Sequence, residues 1–137
     1  MVNISYPQSM KHILVTIPHP SSKGGVGNIY RSLKLDESDE IEYFHNTKAN
    51  SSANIWFSTI MLFRFIRQIR GKTIVHLNPS FYVKAVIRDG ILIMISKLFN
   101  KKVIVFLHGW DDEFEEKIRS NSFYKKVFLS VFNMTDV

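Results

Sequence analysis

Three glycines within four positions follow the first strongly apolar segment of the chain. They are Gly24, Gly25 and Gly27, in the stretch SSKGGVGNIY, and they come after the run HILVTI and a short turn. Because glycine has no side chain, backbone N–H groups at the start of a helix stay open to an anion or a sugar. The stretch therefore predicts either a ligand-binding turn or a tight strand-to-helix connection that binds nothing.

The glycine stretch does not fit two common nucleotide-binding motifs. A phosphate-binding P-loop needs a lysine for the outer phosphates and a Ser or Thr hydroxyl for magnesium, but Asn28 and Ile29 occupy those positions. A dinucleotide-binding fingerprint needs a third glycine where this chain has Tyr30. The sequence therefore argues against an NTPase and a dinucleotide oxidoreductase. A degenerate P-loop protein is a further alternative, which magnesium-dependent nucleotide binding would support.

A second candidate segment, FLHGWDDEF, carries a histidine followed by a glycine. His108 could bond a hydroxyl or a phosphate or transfer a proton, and the alternative is a histidine packed in the turn and bonded to backbone. Gly109 permits a sharp turn, and Trp110 could either stack on a sugar ring or pack in the core. Asp111 or Asp112 is expected to cap the next helix rather than to act as an acid or base.

Short apolar runs alternate with longer helical stretches along the chain. The predicted strands cover 12–17, 41–45, 73–77 and 102–107, and the predicted helices cover 25–35, 53–70, 82–100, 111–120 and 122–134. This alternation predicts βαβ units and an α/β, Rossmann-like parallel sheet flanked by helices. The carboxyl ends of parallel strands share one edge, where ligands bind. Four segments should therefore be neighbours there: 18–27, 45–52, 78–81 and 108–113.

The composition is that of one globular domain with a basic surface. The 137 residues are 45% hydrophobic and 22% charged, with a net charge of +6 and no cysteine. The histidines lack metal-ligand spacing, so neither a metal nor another cofactor is expected. A basic surface favours anionic partners, but no nucleic-acid-binding motif is present and no nucleic-acid partner is expected. No apolar run is long enough to span a membrane.

The predicted helix over 53–70 mixes aromatic and basic side chains. Phe63 and Phe65 accompany Arg64 and Arg67 within a few residues. One interpretation is an amphipathic surface that touches anionic lipid. The favoured interpretation is a helix that packs on the sheet and leaves a solvated cationic stripe. The next predicted helix, over 82–100, has an expected weak point at Gly90.

Taken in order, these segments resemble the N-terminal domain of bacterial family-four glycosyltransferases of the GT-B fold. The segment KHILVTIPHP leads into GGVGNIYRSL, TIVHLNPSF precedes VKAVIRDGILIMISKLFNKK, and VIVFLHGWDDEF follows. The motifs are loose one by one, but their order and spacing together are specific. The resemblance covers residues 12–137, so that the chain would form one half of a GT-B architecture.

The resemblance implies a retaining transfer of a sugar from a nucleotide-sugar donor to a polysaccharide or lipid-linked acceptor. The reaction would need no metal and would take place in the cytoplasm, at the inner face of the cell membrane. His108 is the catalytic candidate near the acceptor, and the basic aromatic helices would make a peripheral contact with an anionic membrane. The candidate substrate-binding residues are Gly24, Gly25, Gly27, Asn28, Gly109 and Trp110.

The chain departs from this family because nothing in it corresponds to the second Rossmann domain, which holds most donor contacts, including a Glu-x7-Glu pair. We expect residues 1–137 to form a single acceptor-side domain, incomplete at its C-terminus, which needs a C-terminal domain or a partner chain. Alone it is expected neither to bind a nucleotide sugar tightly nor to turn over. The alternative is a non-catalytic α/β binding module or a membrane-associated partner subunit.

Overall fold

The structure is a computed structural model that describes residues 12–21, 25–47, 55–80, 82–108 and 111–136. Strands alternate with helices, as the apolar pattern predicts. Within these residues the strands are β1 (Ile13–Ile17), β2 (Ile41–His45), β3 (Ile74–Leu77) and β4 (Lys102–Val105). The helices are α1 (Gly25–Leu33), α2 (Ile55–Ile69), α3 (Val83–Leu98), α4 (Asp112–Ser120) and α5 (Ser122–Phe132), and a 3-10 turn covers Leu35–Glu37.

The strands form one parallel sheet in the order β2-β1-β3-β4. Ile13 of β1 is in register with Ile41 of β2 on one side and with Ile74 of β3 on the other. From β1 the chain therefore runs to β2 at one edge of the sheet, crosses β1 to form β3 on its other side, and continues to β4 at the opposite edge. The predicted α/β, Rossmann-like parallel sheet is confirmed, and its strand order reverses between β1 and β3.

Helices cover the two faces of the sheet unequally. On one face, Val26 and Tyr30 of α1 pack with Val15 and Ile17 of β1. The other face carries the larger core, to which β1 contributes Leu14, and to which α2, α3 and the other three strands contribute the remaining buried side chains. Successive residues of a strand point to opposite faces, so β1 is buried on both sides. Burial on both sides explains why β1 has a continuous apolar sequence.

Helix α2 packs on the sheet through one line of side chains. Met61, Phe65 and Ile69 are buried, and the rings of Phe65 and Phe44 lie 5.2 Å apart in an edge-to-face arrangement. The spacing of four residues places these three side chains on one side of the helix. The interpretation of this helix as one that packs on the sheet is confirmed, although Phe63 stays exposed on its outer side.

Gly90 lies where α5 packs against α3. A Cβ atom added at Gly90 would lie 2.8 Å from Cγ2 and 3.2 Å from Cγ1 of Val131. Helix α3 runs unbroken from Val83 to Leu98, through the position where the sequence indicated a weak point. The glycine therefore permits the close approach of two helices.

Replacing Gly90 by alanine is expected to lower the free energy of unfolding by about 1 kcal/mol. Overpacking against the stiff side chain of Val131 costs about 1–3 kcal/mol, which outweighs the gain of about 1 kcal/mol in helix propensity. Denaturant unfolding of the two proteins measures the difference. In a Val131→Ala background the same change should become neutral or stabilising. Stabilisation with Val131 present would contradict the close approach.

The chain after α5 returns to the outer side of β4. The backbone N–H of Asp136 donates to the carbonyl oxygen of Val103 at 2.9 Å, and the N–H of Val103 donates to Asp136 Oδ2 at 2.6 Å. Lys97 Nζ lies 2.9 Å from the same carboxylate oxygen. The backbone hydrogen bond from Val103, together with Lys97, lowers the pKa of Asp136 below its ordinary value of 3.8. Asp136 thus satisfies both backbone groups of Val103 on the open side of β4.

The variant Asp136→Asn is expected to be less stable than the parent chain at neutral pH. Because the pKa of Asp136 is lower in the folded state, its stabilising effect is present above the pKa of the unfolded chain and is lost as the pH falls through the folded value. Urea unfolding of the parent and the variant, compared between about pH 7 and pH 3, measures this. The difference in stability should shrink steadily towards acidic pH. A difference that is independent of pH would exclude the charge of Asp136 as its cause.

Candidate functional site

The carboxyl ends of β1, β3 and β4 meet at one edge of the sheet, which we call the rim. Asn78 follows β3 and bridges to β1 with two hydrogen bonds to Thr16. Its backbone N–H donates to Thr16 Oγ1 at 3.2 Å, and its Nδ2 donates to the carbonyl oxygen of Thr16 at 2.9 Å. Asn78 therefore lies where the strand order reverses, the position at which open parallel sheets bind ligands.

Two further side chains meet the amide oxygen of Asn78. The hydroxyl of Tyr30, on α1, donates to Asn78 Oδ1 at 2.8 Å, and Nε2 of His108 lies 3.0 Å from the same oxygen. A parallel bridge between Ser80 and His108 extends the pairing of β3 with β4 to this point. Tyr30 is 5% exposed and Asn78 4%, whereas His108 is only half-buried. Of the three, His108 is therefore the side chain placed to meet a ligand.

The hydrogen bonds of Asn78 determine the tautomer of His108. Because Nδ2 of Asn78 donates to Thr16, the amide atom that faces His108 is the oxygen, which can only accept. Nε2 of His108 must then carry the proton. In the neutral imidazole, Nδ1 is left as an acceptor, and the described residues give it no hydrogen-bond partner. The rim therefore presents a weak base in a fixed orientation.

A second histidine, His76 on β3, lies beside the same tyrosine. The ring centroids of His76 and His108 lie 6.3 Å and 6.1 Å from that of Tyr30. Burial lowers the pKa of both histidines below 6.5, and the nearby charge of His108 lowers that of His76 further. Nε2 of His76 is buried without a hydrogen-bond partner. Both imidazoles are therefore neutral at pH 7.

Burial also affects the third aromatic residue of the cluster. It raises the pKa of Tyr30 above 10.0, although the hydrogen bond with Asn78 acts in the opposite direction. The tyrosine hydroxyl is therefore protonated at neutral pH and acts as the donor that the amide oxygen of Asn78 requires.

The protein is expected to lose stability as the pH falls below about 6.5, because the unfolded chain then binds protons that His76 and His108 resist in the folded state. Chemical unfolding between about pH 7.5 and pH 5 measures this loss. In His108→Gln the slope should be smaller, and the NMR titration midpoint of His76 should rise. The ¹⁵N chemical shifts of His108 should show the Nε2–H tautomer. An Nδ1–H tautomer would contradict the network.

The glycine turn leads into the helix that carries Tyr30. Helix α1 begins at Gly25, as predicted, and a Cβ atom added there would meet no atom within 4 Å. Gly27 is buried in the same helix. Oδ1 of Asn28 accepts a hydrogen bond from the guanidinium of Arg31, which also donates to the carbonyl oxygen of Pro20. The first turn of α1 is thus open at Gly25, while Asn28 helps to fix the turn that precedes the helix.

The structure brings together part of the predicted site and adds residues that the sequence did not indicate. His108 lies in the hydrogen-bonded network, and Gly25, Gly27 and Asn28 lie on the helix of Tyr30. Tyr30 and Asn78 were missed as site residues, although the position of Asn78 after a predicted strand was a usable signal. Asp111 caps α4, because its Oδ1 accepts from the N–H of Phe114 at 2.7 Å. Three predicted residues lie outside the described residues: Gly24, Gly109 and Trp110.

A buried ion pair lies near the end of β2. Asp89 on α3 is 1% exposed and accepts two hydrogen bonds from the guanidinium of Arg88, at 2.8 Å and 2.7 Å. Nδ2 of Asn46, which follows β2, lies 3.5 Å from the same carboxylate. The bidentate pair lies within α3 and holds the carboxylate of Asp89 in place, and the contact with Asn46 joins α3 to the end of β2. In the described ranges, no group of three or more acidic or histidine side chains could hold a metal ion.

The fold and the rim define a Rossmann-like α/β domain with a polar network at the reversal of its strand order. No protein-family model, no curated protein and no solved structure matches the chain. None of the described helices is both long enough and apolar enough to cross a membrane. The function therefore has to be inferred from the residues at the rim.

Proposed function

We propose that this chain forms the acceptor side of a retaining glycosyltransferase, which transfers a sugar from a nucleotide-sugar donor to a glycan or lipid-linked acceptor. The observation that supports the proposal is the network of Tyr30, Asn78 and His108. It lies where the strand order reverses and presents Nδ1 of His108 at the rim. An acceptor of this class offers hydroxyl groups, and an imidazole nitrogen with a free lone pair binds a hydroxyl as its hydrogen-bond acceptor.

The protonation state of His108 suits this role. A neutral imidazole can accept the hydrogen bond of a sugar hydroxyl and can take up its proton as the oxygen becomes a nucleophile. Because Nε2–H is bonded to Asn78, the ring cannot turn without losing that hydrogen bond. Asn78 and Tyr30 are therefore positioning residues, and His108 is the residue that contacts the acceptor.

The first turn of α1 is suited to bind the diphosphate of the donor. The first turn of a helix offers unpaired backbone N–H groups and the positive end of the helix dipole, which favour an anion. Gly25 is open at this point, and α1 has no acidic residue in its first turn. A diphosphate could therefore approach α1 from the side of the glycine turn, and the proposal needs no metal ion or other cofactor.

A non-catalytic α/β binding module is the second candidate, and one observation favours it. Tyr30 and Asn78 are almost fully buried and use their hydrogen bonds within the protein, so His108 is the network residue left for a ligand. One imidazole is sufficient to bind a hydroxyl. Turnover requires in addition a donor held against the same rim, by a second domain or a partner chain.

Binding of simple glycosides and nucleotide sugars, followed by NMR on the labelled protein, tests the proposal. We expect glycosides to shift resonances at the rim, and His108→Ala to weaken their binding about tenfold, the equivalent of one hydrogen bond. Gly25→Val should obstruct the donor side without disturbing the fold, because the space there is empty. Gly71→Val is the matched control, since it is equally open but lies between α2 and β3, at the opposite edge of the sheet.

The outcomes separate the two candidate functions. Glycoside binding that is unchanged in His108→Ala, together with nucleotide-sugar binding that is unchanged in Gly25→Val, would remove the site from the rim. Glycoside binding that depends on His108, without transfer in the presence of a donor-binding domain, would favour the binding module. Transfer from a nucleotide sugar by the 137-residue chain alone would contradict the expectation that a second domain is needed.

A further inference from the structure

Two histidines lie side by side at the carboxyl ends of β1 and β2. His45 is the last residue of β2 and is in register with Ile17, the last residue of β1, and His19 follows Ile17 by two positions. The ring centroids of the two histidines lie 5.8 Å apart, with an angle of 55° between the ring planes. Both side chains are half-buried, so each is held by the protein and still reaches solvent. We call His19 and His45 the histidine pair.

Backbone hydrogen bonds hold the loop of His19 against the end of β2. The N–H of His19 donates to Thr47 Oγ1 at 2.7 Å. The N–H of Asn46 donates to the carbonyl oxygen of Ile17 at 3.0 Å, which continues the parallel pairing of the two strands beyond His45. The separation of the two imidazoles is therefore fixed by the chain on both sides.

A backbone carbonyl determines the tautomer of His45. Its Nδ1 lies 3.2 Å from the carbonyl oxygen of Pro18. Because a carbonyl oxygen can only accept, Nδ1 must carry a proton and donate it. In the neutral imidazole, Nε2 then has a free lone pair, and the described residues give that nitrogen no hydrogen-bond partner. His45 therefore presents an acceptor.

A backbone N–H determines the opposite tautomer in His19. The N–H of Ser21 donates to Nδ1 of His19 at 3.2 Å, and the hydroxyl oxygen of Ser21 lies 2.9 Å from the same nitrogen. Because Nδ1 uses its lone pair to accept, the ring proton is on Nε2. Within the described part of the chain, nothing accepts a hydrogen bond from this Nε2–H. His19 therefore presents a donor beside the acceptor of His45.

A donor next to an acceptor suits neighbouring hydroxyl groups better than a charged group. A hydroxyl both donates and accepts, so one hydroxyl can donate to Nε2 of His45 while the next accepts from Nε2–H of His19. A carboxylate only accepts and an ammonium group only donates, so each would satisfy one of the two nitrogens and leave the other without a partner.

We propose that the histidine pair binds a vicinal diol, that is, two neighbouring hydroxyl groups of a sugar ring. The ribose of a nucleotide and the pyranose rings of a glycan both carry this group. The segments that contain the pair, 12–34 and 43–50, have no acidic residue. No carboxylate of these segments would therefore repel a phosphate attached to the same sugar.

The two tautomers also distinguish a diol from a metal ion. A metal-bound imidazole gives one lone pair to the ion and donates its other N–H to the protein. His45 has that arrangement through Pro18, but His19 has the reverse, because its protein-bound nitrogen accepts. Among the residues that the structure describes, no three or more side chains of histidine or acidic type are grouped to hold a metal ion.

The histidine pair is separate from the network of Tyr30, Asn78 and His108. Strand β2 is three strand spacings of about 4.8 Å from β4, so the end of β2 lies about 14 Å from the end of the strand that leads to His108. The inference does not rest on the proposed function, because the class of ligand follows from the hydrogen bonds of His19 and His45 themselves.

NMR titration of the labelled 137-residue chain tests the proposal. The probes are uridine, 2′-deoxyuridine, which lacks one hydroxyl of the ribose pair, and methyl α-mannopyranoside. We expect uridine or the mannoside to shift the side-chain ¹⁵N resonances of His19 and His45. If the ligand is a nucleotide ribose, uridine should bind about tenfold more tightly than 2′-deoxyuridine, the equivalent of one hydrogen bond. If it is a glycan, the mannoside should bind and the two nucleosides should not differ.

Asparagine variants remove each Nε2 and preserve the contact of each Nδ1. His45→Asn keeps an N–H group for the carbonyl oxygen of Pro18, and His19→Asn keeps an oxygen for the N–H of Ser21. Each variant should weaken binding of the diol about tenfold. His12→Asn is the matched control, because His12 is exposed and lies at the opposite end of β1, and it should leave binding unchanged.

Three results would overturn the proposal. The first is that no probe binds in a way that depends on His19 and His45. The second is a ¹⁵N spectrum that shows the same tautomer in both histidines. The third is zinc binding that requires both histidines while the diols do not bind. Diol binding that is lost in His108→Ala but not in the two asparagine variants belongs to the network of His108, so failure here is distinguishable from failure of the proposed function.

Discussion

Strand β1 is hydrogen-bonded in parallel to β2 on one side and to β3 on the other. The chain that leaves the carboxyl end of β1 therefore turns towards β2, whereas the chain that leaves β3 turns the opposite way, towards β4. The space between the ends of β1 and β3 contains backbone groups that need partners, and a buried polar group without one costs about 1–3 kcal/mol. Asn78 supplies such partners through its two hydrogen bonds with Thr16. Its amide oxygen in turn accepts hydrogen bonds from Tyr30 and His108. The polar network at the rim is thus a consequence of the strand order.

Most of the fold could be predicted from the sequence, because strands buried on both faces have continuous apolar runs. The ends of the elements were harder to predict, since a boundary depends on single backbone angles that the apolar pattern does not record. Helix α1 ends at Leu33, before the predicted position 35, because Lys34 has a left-handed backbone with φ of 47°. Such a conformation is rare for residues other than glycine, so a lysine in the sequence does not indicate it.

The candidate site was predictable only in part, for a different reason. His108 was identified because it follows an apolar run that had to be a strand. Tyr30 and Asn78 are 48 residues apart, and their hydrogen bond exists only once α1 and β3 are in place. In the sequence, Tyr30 only occupies the position where a dinucleotide-binding fingerprint would have its third glycine. Asn78, which precedes a proline, indicates only a turn. Partners that are distant along the chain leave no local pattern to detect.

Helix α3 shows why an apolar sequence does not by itself predict burial. Its residues are apolar on almost every side, which is typical of a fully buried helix, but a sheet covers only one side of a helical layer. Since α3 directly follows the end of β3, its first turn lies close to the rim, and its outer side carries exposed apolar side chains from Ile87 to Leu98.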